Sequence, residues 1–379
     1  MTHVFVVNET TFNVHLQYRF AGTGDGEYEP DFSLTNADKY TQENTLTAMN
    51  ADISKVRDGD KVLFYVTGCK KFFGIFQIEG TPFFESKNTN YLYLDLGKRY
   101  LPYRVKIRPF KVYAKGISEE IALDDISAIS RPYEMCWSMI YRKLTGLRGC
   151  SFITEKEMAD IEKLLDKENN SQVLGGNDFF YDSNTNARCI VKAKSSKTYS
   201  GTINKPLSID TRLYNIEKPC EVHLQAYIMQ QFDKNQQLKK YLFPRNVANI
   251  WIGNEVVCSV GEKRIDVLVI SETKTKIQVR VIELKDSHPT NLILTDQFPW
   301  YIKWVNQYII PNLLSKHKHI ELVPTIISKP YKRECSHKKE FETGVTVFNK
   351  TQQQLITKAK IKDLECIYFD KSMFPIRLF

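Results

Sequence analysis

The apolar positions of this 379-residue chain fall into short strand-like runs at first, then one helix-like run near residue 160, then a mixture of both beyond 215. Residues 1–8 read as a strand. Residues 60–67 and 72–78 are rich in Val, Ile, Phe and Tyr, as strands are, and Gly68-Cys-Lys-Lys71 between them has turn composition. Residues 103–110 alternate basic and apolar side chains, which predicts a half-buried strand. Thr154 followed three residues later by Glu157 is a capping-box pattern, and Met158, Ile161, Leu164 and Leu165 repeat behind it at helical spacing.

Then the pattern breaks. Residues 166–177 are polar and contain Gly-Gly, which marks a linker, and 166–214 reads as a connecting segment. A helix is expected at 221–232, strands at 249–251, 255–260, 264–270 and 277–284, a helix at 295–313 and a strand at 322–328. That order suits a mixed sheet flanked by helices. Three segments follow: 1–165, the connection 166–214, and 215–379.

Charge sharpens the division. Residues 1–170 carry 22 Lys and Arg against 24 Asp and Glu, whereas 171–379 carry 31 against 20. The basic excess sits where a phosphate backbone would need it. The eight cysteines, Cys69 to Cys366, include no C-x-x-C pair, so buried free thiols are expected rather than a metal ribbon or a disulfide framework. No apolar run is long enough to span a membrane and no secretion leader is evident. A cytoplasmic protein with no membrane partner is the expectation.

Candidate chemistry concentrates between 221 and 301. Asp266 lies near the start of one predicted strand, and Glu283 and Lys285 lie two apart at the end of another, on one face because strand side chains alternate. If those strands are neighbours, Asp266 and Glu283 can share a hard divalent cation such as Mg²⁺, with Mn²⁺ as a substitute. Phosphodiester hydrolysis needs an activated water and relief of charge building on the phosphate, which a carboxylate-held metal and an adjacent lysine supply. Glu221, near the start of the preceding helix, offers a third carboxylate.

Glu221, Asp266 and Glu283-Leu-Lys285, together with Gln297-Phe-Pro-Trp-Tyr301, resemble the PD-(D/E)XK nuclease superfamily and the Q-x-x-x-Y motif of a large branch of it. Ile265 stands where the signature has proline. The resemblance covers roughly 215–330 and implies an α/β nuclease core with Asp266, Glu283 and Glu221 as metal ligands. Lys285 is implied as catalytic, with Gln297 and Tyr301 supporting the site on one helix face.

The first segment is similar to the EVE, YTH and PUA-like group of small β-barrels, through Arg57-Asp-Gly-Asp-Lys-Val-Leu-Phe-Tyr-Val, Phe73-Gly-Ile-Phe and Pro82-Phe-Phe. That resemblance implies a barrel with flanking helices that reads a modified base in an aromatic pocket. Phe12, Tyr65, Phe72, Phe73 and Trp137 are candidate walls, and Arg104, Arg142, Lys143 and Arg148 candidate phosphate contacts. An α+β, two-domain chain that pairs a reader with a cutter implies a modification-dependent endonuclease of prokaryotic type. It would act on double-stranded DNA, such as phage genomes, in antiviral defence, as a homodimer. Two alternatives stay open: a structure-specific or mismatch repair nuclease, and a DNA- or RNA-binding protein that no longer cuts.

Overall fold

The computed structural model describes residues 1–24, 40–85, 91–123, 130–136, 149–184, 188–195, 197–202, 207, 220–258, 263–355, 357–370 and 377–378. The fold is mixed α and β and forms two compact units. Unit 1 comprises Met1–Ser130 and Met135–Ser208, and unit 2 comprises Arg131–Glu134 and Ile209–Phe379. Among the described residues, no helix is long and apolar enough to cross a membrane.

In unit 1 the strands are β1 (Thr2–Val7), β2 (Phe20–Thr23), β3 (Lys61–Val66), β4 (Lys71–Phe84), β5 (Tyr103–Pro109), β6 (Ile117–Ser118) and β7 (Cys150–Ile153), with a hairpin of β8 (Phe179–Asp182) and β9 (Cys189–Lys192). The sheet runs β2-β5-β4-β3-β1-β7, with β6 on β4, and β1 lies parallel to β3. Pairings among the described residues trace an open path, with no closed barrel. The central strands are apolar at nearly every position because both faces are covered. Phe5, Val62, Phe64 and Val66 join one core with Phe12, Leu16, Leu46 and Ile53 from the helices Glu9–Tyr18 and Tyr40–Ser54. Their neighbours Val4, Leu63 and Tyr65 point the other way, onto Met158, Ile161 and Leu165 of the helix Glu155–Glu168. The capping box at the start of that helix forms as expected: Thr154 N–H donates to Glu157 Oε2 at 2.7 Å.

The expected connection at 166–214 needs correction. Phe179, Tyr181 and Ile190 belong to the first core, and Tyr181 N–H donates to Asn13 Oδ1 at 3.2 Å, so this stretch completes unit 1 as far as its described residues reach. The charge contrast survives the new boundary: unit 1 holds 26 basic against 25 acidic residues, unit 2 27 against 19. All eight cysteines are free, but only Cys136, Cys150 and Cys258 are buried, and Cys335 is exposed.

Unit 2 is built on β10 (Asn249–Val257), β11 (Arg264–Glu272), β12 (Lys276–Leu284), β13 (His319–Ser328), β14 (Lys360–Ile361), β15 (Glu365–Asp370) and β16 (Arg377–Leu378). Its sheet runs β10-β11-β12-β13-β15-β16, with β14 on β13. The first three strands form an antiparallel meander, and β12, β13 and β15 are parallel neighbours. Parallel pairing requires crossovers. The helical stretch 293–316 links β12 to β13, and the helix Ser336–Gln353 precedes β15. Gly253-Asn254, which reads as a break between two strands, lies inside β10. The strand continues through it, with Glu255 in a left-handed conformation at φ 51°.

Helix 293–316 contains two widened turns. Phe298 N–H donates to the Ile293 carbonyl and Ile310 N–H to the Val305 carbonyl, each five residues back. Each widened turn stands immediately before a proline, Pro299 and Pro311. A proline inside an α-helix clashes with the carbonyl four residues earlier. The extra residue in each turn makes room for that carbonyl, so the helix continues past both prolines.

Candidate active site

The antiparallel register of β11 and β12 pairs Val267 with Ile282, which sets Asp266 opposite Glu283 at the end of the strand pair. The expected neighbourhood of these two carboxylates is realised. Asp266 Oδ2 accepts the Leu284 N–H at 2.7 Å, and Leu284 itself is buried. Lys285, just past β12, donates from Nζ to Glu283 Oε1 at 2.8 Å and to Glu221 Oε1 at 3.3 Å. Glu221 is the first residue of the helix Glu221–Gln231, where a carboxylate is favoured by the helix dipole. Exposure rises from floor to rim: 2% for the Glu283 side chain, 21% for Lys285 and 42% for Glu221.

The electrostatics follow from that gradient. Burial pushes the Asp266 carboxyl well above its usual range, and the Glu283 charge adds to the rise against the Leu284 hydrogen bond. Glu283 is raised by burial as well, with Lys285 pulling the other way. The two titrate as a pair. Burial opposes the Lys285 charge, yet Glu283 and Glu221 hold its ammonium above the ordinary lysine range. Glu283 Oε2 is buried and, among the described residues, has no hydrogen-bond partner of ordinary geometry, although the Tyr301 hydroxyl lies near enough to the carboxylate to lower its pKa. An unmet buried carboxylate oxygen is costly unless something else uses it.

Glu221 was expected as a third ligand beside Asp266 and Glu283. Among the described residues, no group of three or more His, Cys, Asp or Glu side chains converges as a metal centre. Glu221 instead meets Glu283 through Lys285, whose ammonium lies against both carboxylates. Tyr301 is buried and donates to the Arg264 carbonyl at 2.8 Å, fastening the helical stretch to β11 beside the acids. Burial and then the charges of Glu283 and Asp266 raise its phenol, so it stays protonated as a donor. Gln297, the last residue of the first widened turn, is half-buried and makes no hydrogen bond to the cluster.

Three residues that sequence reasoning missed complete the floor. Gln225, one helical turn after Glu221, donates from Nε2 to the Asp266 carbonyl at 3.1 Å and to Glu255 Oε1 at 2.9 Å. Asn254 Nδ2 donates to Gln225 Oε1 at 3.3 Å. Glu255 stands across from Asp266, between the pairs Asn254–Val267 and Val256–Ile265, and is neutralised by Arg264 at 2.9 Å. The four-residue spacing of Glu221 and Gln225 on one helix face was the available signal.

The candidate reader residues fare differently. Phe12 and Phe73 lie in one core of unit 1 with rings 5.4 Å apart, while Tyr65 and Phe72 lie in the opposite core, 5.0 Å apart. All four are buried, on two faces of one sheet, so they cannot wall a single pocket. Arg104 is not a phosphate contact either, because it is only 1% exposed and its guanidinium is committed. It donates to the Leu101 carbonyl at 2.7 Å, the Tyr91 carbonyl at 2.8 Å and the Tyr199 hydroxyl at 3.0 Å. Tyr199 in turn donates to buried Glu85 at 2.6 Å. Trp137, Arg142, Lys143 and Arg148 lie outside the described residues, as does the Gly261-Glu262 that leads into β11.

No protein-family model matches this chain, and a search of curated proteins finds none similar to it. The functional reading therefore rests on the residues themselves.

Proposed function

We propose that unit 2 is a metal-dependent phosphodiesterase of the PD-(D/E)XK kind that cuts DNA. The observation that carries this reading is the juxtaposition of Asp266 and Glu283 on neighbouring strands, with the Lys285 ammonium 2.8 Å from Glu283. The residues fit a hard divalent cation: among the described residues Glu283 Oε2 is buried without a hydrogen bond of ordinary geometry, and Asp266 opposite it is strained by burial and like charge. Asp266 and Glu283 would hold Mg²⁺ or Mn²⁺, with Glu221 at the rim. When bound, the metal supplies Lewis-acid relief of the charge that develops on the phosphoryl oxygens.

The chain's own side chains have separate tasks. Lys285 can turn from Glu283 towards a phosphate oxygen and stabilise the pentavalent transition state, since its charge is maintained despite burial. Glu221, half-exposed, can take a hydrogen bond from the attacking water and so orient it. Gln225 fixes the helix that carries Glu221 to the backbone of Asp266, and Tyr301 fixes the other flank. The basic balance of unit 2 suits a polyanionic substrate.

The finer reading is a modification-dependent restriction enzyme, acting as a homodimer, whose unit 1 is a PUA-like recognition domain. It rests on the resemblance of unit 1. The test uses matched plasmid or phage DNA, modified and unmodified, with Mg²⁺ or Mn²⁺, and compares wild type with Lys285→Ala. Cutting of modified DNA alone, lost in the variant, is the expected result. Equal cutting of both substrates would keep the nuclease and remove the modification reader. An activity that persists in Lys285→Ala would overturn the assignment of the site.

A further inference from the structure

Unit 1 carries a cleft of about 420 Å³ whose charge is one-sided: Arg19, Lys106, Arg108 and Lys197 line it against a single acid, Glu79. The backbone forces the first two cations together. Arg19 ends the helix Glu9–Tyr18, its carbonyl accepts the Ile107 N–H at 3.1 Å, and the next residue, Phe20, pairs with Lys106 across β2 and β5. Neither side chain makes an ion pair or a hydrogen bond among the described residues. Glu79 faces Lys106 from β4 and forms no ion pair with it. Burial and then the Arg19 charge lower the Lys106 pKa, with the Glu79 charge pulling the other way.

The rest of the lining adds little negative charge, the ion pair of Lys197 with Asp95 aside. Arg108 is pinned by two donations to Gln77 Oε1, at 3.0 and 2.8 Å, and that partner is neutral. Lys197 is anchored by its N–H to the Gln17 carbonyl at 3.1 Å and reaches Asp95 only at 3.7 Å. The Tyr199 ring forms an apolar edge, with the Lys106 ammonium 4.0 Å from its centroid. Arg19 also sits in the left-handed region at φ 51°, where glycine or asparagine would rest with less strain. The volume lies within the range of small-ligand sites, larger than a bare ion requires.

We infer that this cleft binds a phosphate-bearing nucleotide, either free or as one unit of a nucleic-acid strand. Only the choice between those two sources rests on reading unit 1 as a recognition domain, and the Lys285 cluster plays no part. The experiment is calorimetric titration of the full chain, in chelator so that nothing is cut, with dAMP and with deoxyadenosine. dAMP is expected to bind at least about tenfold tighter than the nucleoside, because charge-assisted hydrogen bonds go with the phosphate. Lys106→Gln and Arg19→Gly should each weaken dAMP by about tenfold. Lys285→Ala should bind dAMP as wild type does. Because glycine suits φ 51°, Arg19→Gly should melt no lower than wild type, which separates lost binding from lost folding. Binding that survives both cleft variants, binding lost only in Lys285→Ala, or no dAMP binding at millimolar concentration would each overturn the inference. Displacement of dAMP by a single-stranded oligonucleotide would support the strand as its source, and failure to displace would support the free nucleotide.

Discussion

Each unit buries a cluster of charge, and the two clusters are built on opposite terms. In unit 1, Arg104 and Glu85 are both almost completely buried, and their groups are tied to fixed partners: the Leu101 and Tyr91 carbonyls, the Tyr199 hydroxyl and the Thr202 N–H. In unit 2, Asp266 and Glu283 face each other with one carboxylate oxygen unmet among the described residues, and the Lys285 ammonium and the Leu284 N–H balance them. A buried charge whose hydrogen bonds are met by backbone and rigid rings holds architecture. One that is left short of partners is the kind of cluster on which functional sites are built.

The most severe way to break this contrast is to damage the satisfied cluster. Arg104→Met strands the Glu85 carboxylate in the interior, and loss of one partner from a buried pair typically costs about 3–5 kcal/mol. Denaturant unfolding followed by hydrogen exchange of unit 1 amides should register that loss, and a change below about 1 kcal/mol would contradict it. In unit 2 the equivalent cut tests the proposed nuclease. Lys285→Ala should lower metal-dependent cleavage about 100- to 1000-fold, the usual consequence of removing one transition-state donor. Its effect on unit 2 folding should be smaller than that of Arg104→Met on unit 1.

Acid sharpens the comparison, because the two units respond with opposite sign. His15 in unit 1 is fully buried against Phe20 and Phe64, and burial, then Arg104, lowers its pKa to about 3. A depressed folded pKa means that the neutral ring contributes stability above about pH 6.5, lost as pH falls from there towards 3. His15→Leu should flatten that slope, which approaches about 1.4 kcal/mol per pH unit for one proton. Asp266 and Glu283 are raised in the folded state, so their protonated forms favour folding at low pH and that contribution fades as pH rises through their folded values. Glu283→Gln, studied in chelator, should therefore be more stable than wild type near neutral pH by about 1 kcal/mol, with the advantage vanishing in acid, and should not cut. An unchanged or lowered stability at neutral pH would mean that the pair is already balanced.

The carboxylate and lysine cluster was more legible in the sequence than the fold around it. Asp266, Glu283 and Lys285 could be placed together because a two-residue repeat fixes strand faces, whatever surrounds them. The helix Glu9–Tyr18 escaped notice for a related reason: Thr11, Phe12, Val14, His15 and Leu16 are buried around most of its circumference, which erases the helical period. The 166–214 stretch read as a linker because polar residues flank short apolar ones. Phe179, Tyr181 and Ile190 nevertheless add to a core already built by distant strands, which local pattern cannot reveal. The aromatic pocket failed on parity, since Tyr65 and Phe72 face away from Phe12 and Phe73. Glu255 opens the strand expected at 255–260, but its place across from Asp266 emerges only once β11 is seen to run alongside β10.

The two widened turns of helix 293–316 bear on how this chain can change length over generations. Each stores one residue beyond an α turn, directly ahead of Pro299 or Pro311. A one-residue deletion there would restore the α-helical ladder without rotating the helix beyond it, so Tyr301 would keep its aim at β11. The neighbouring proline would then collide with a carbonyl. Loss of the spare residue should therefore be inherited with loss of the proline, and a chain that loses the residue but keeps the proline should fold poorly.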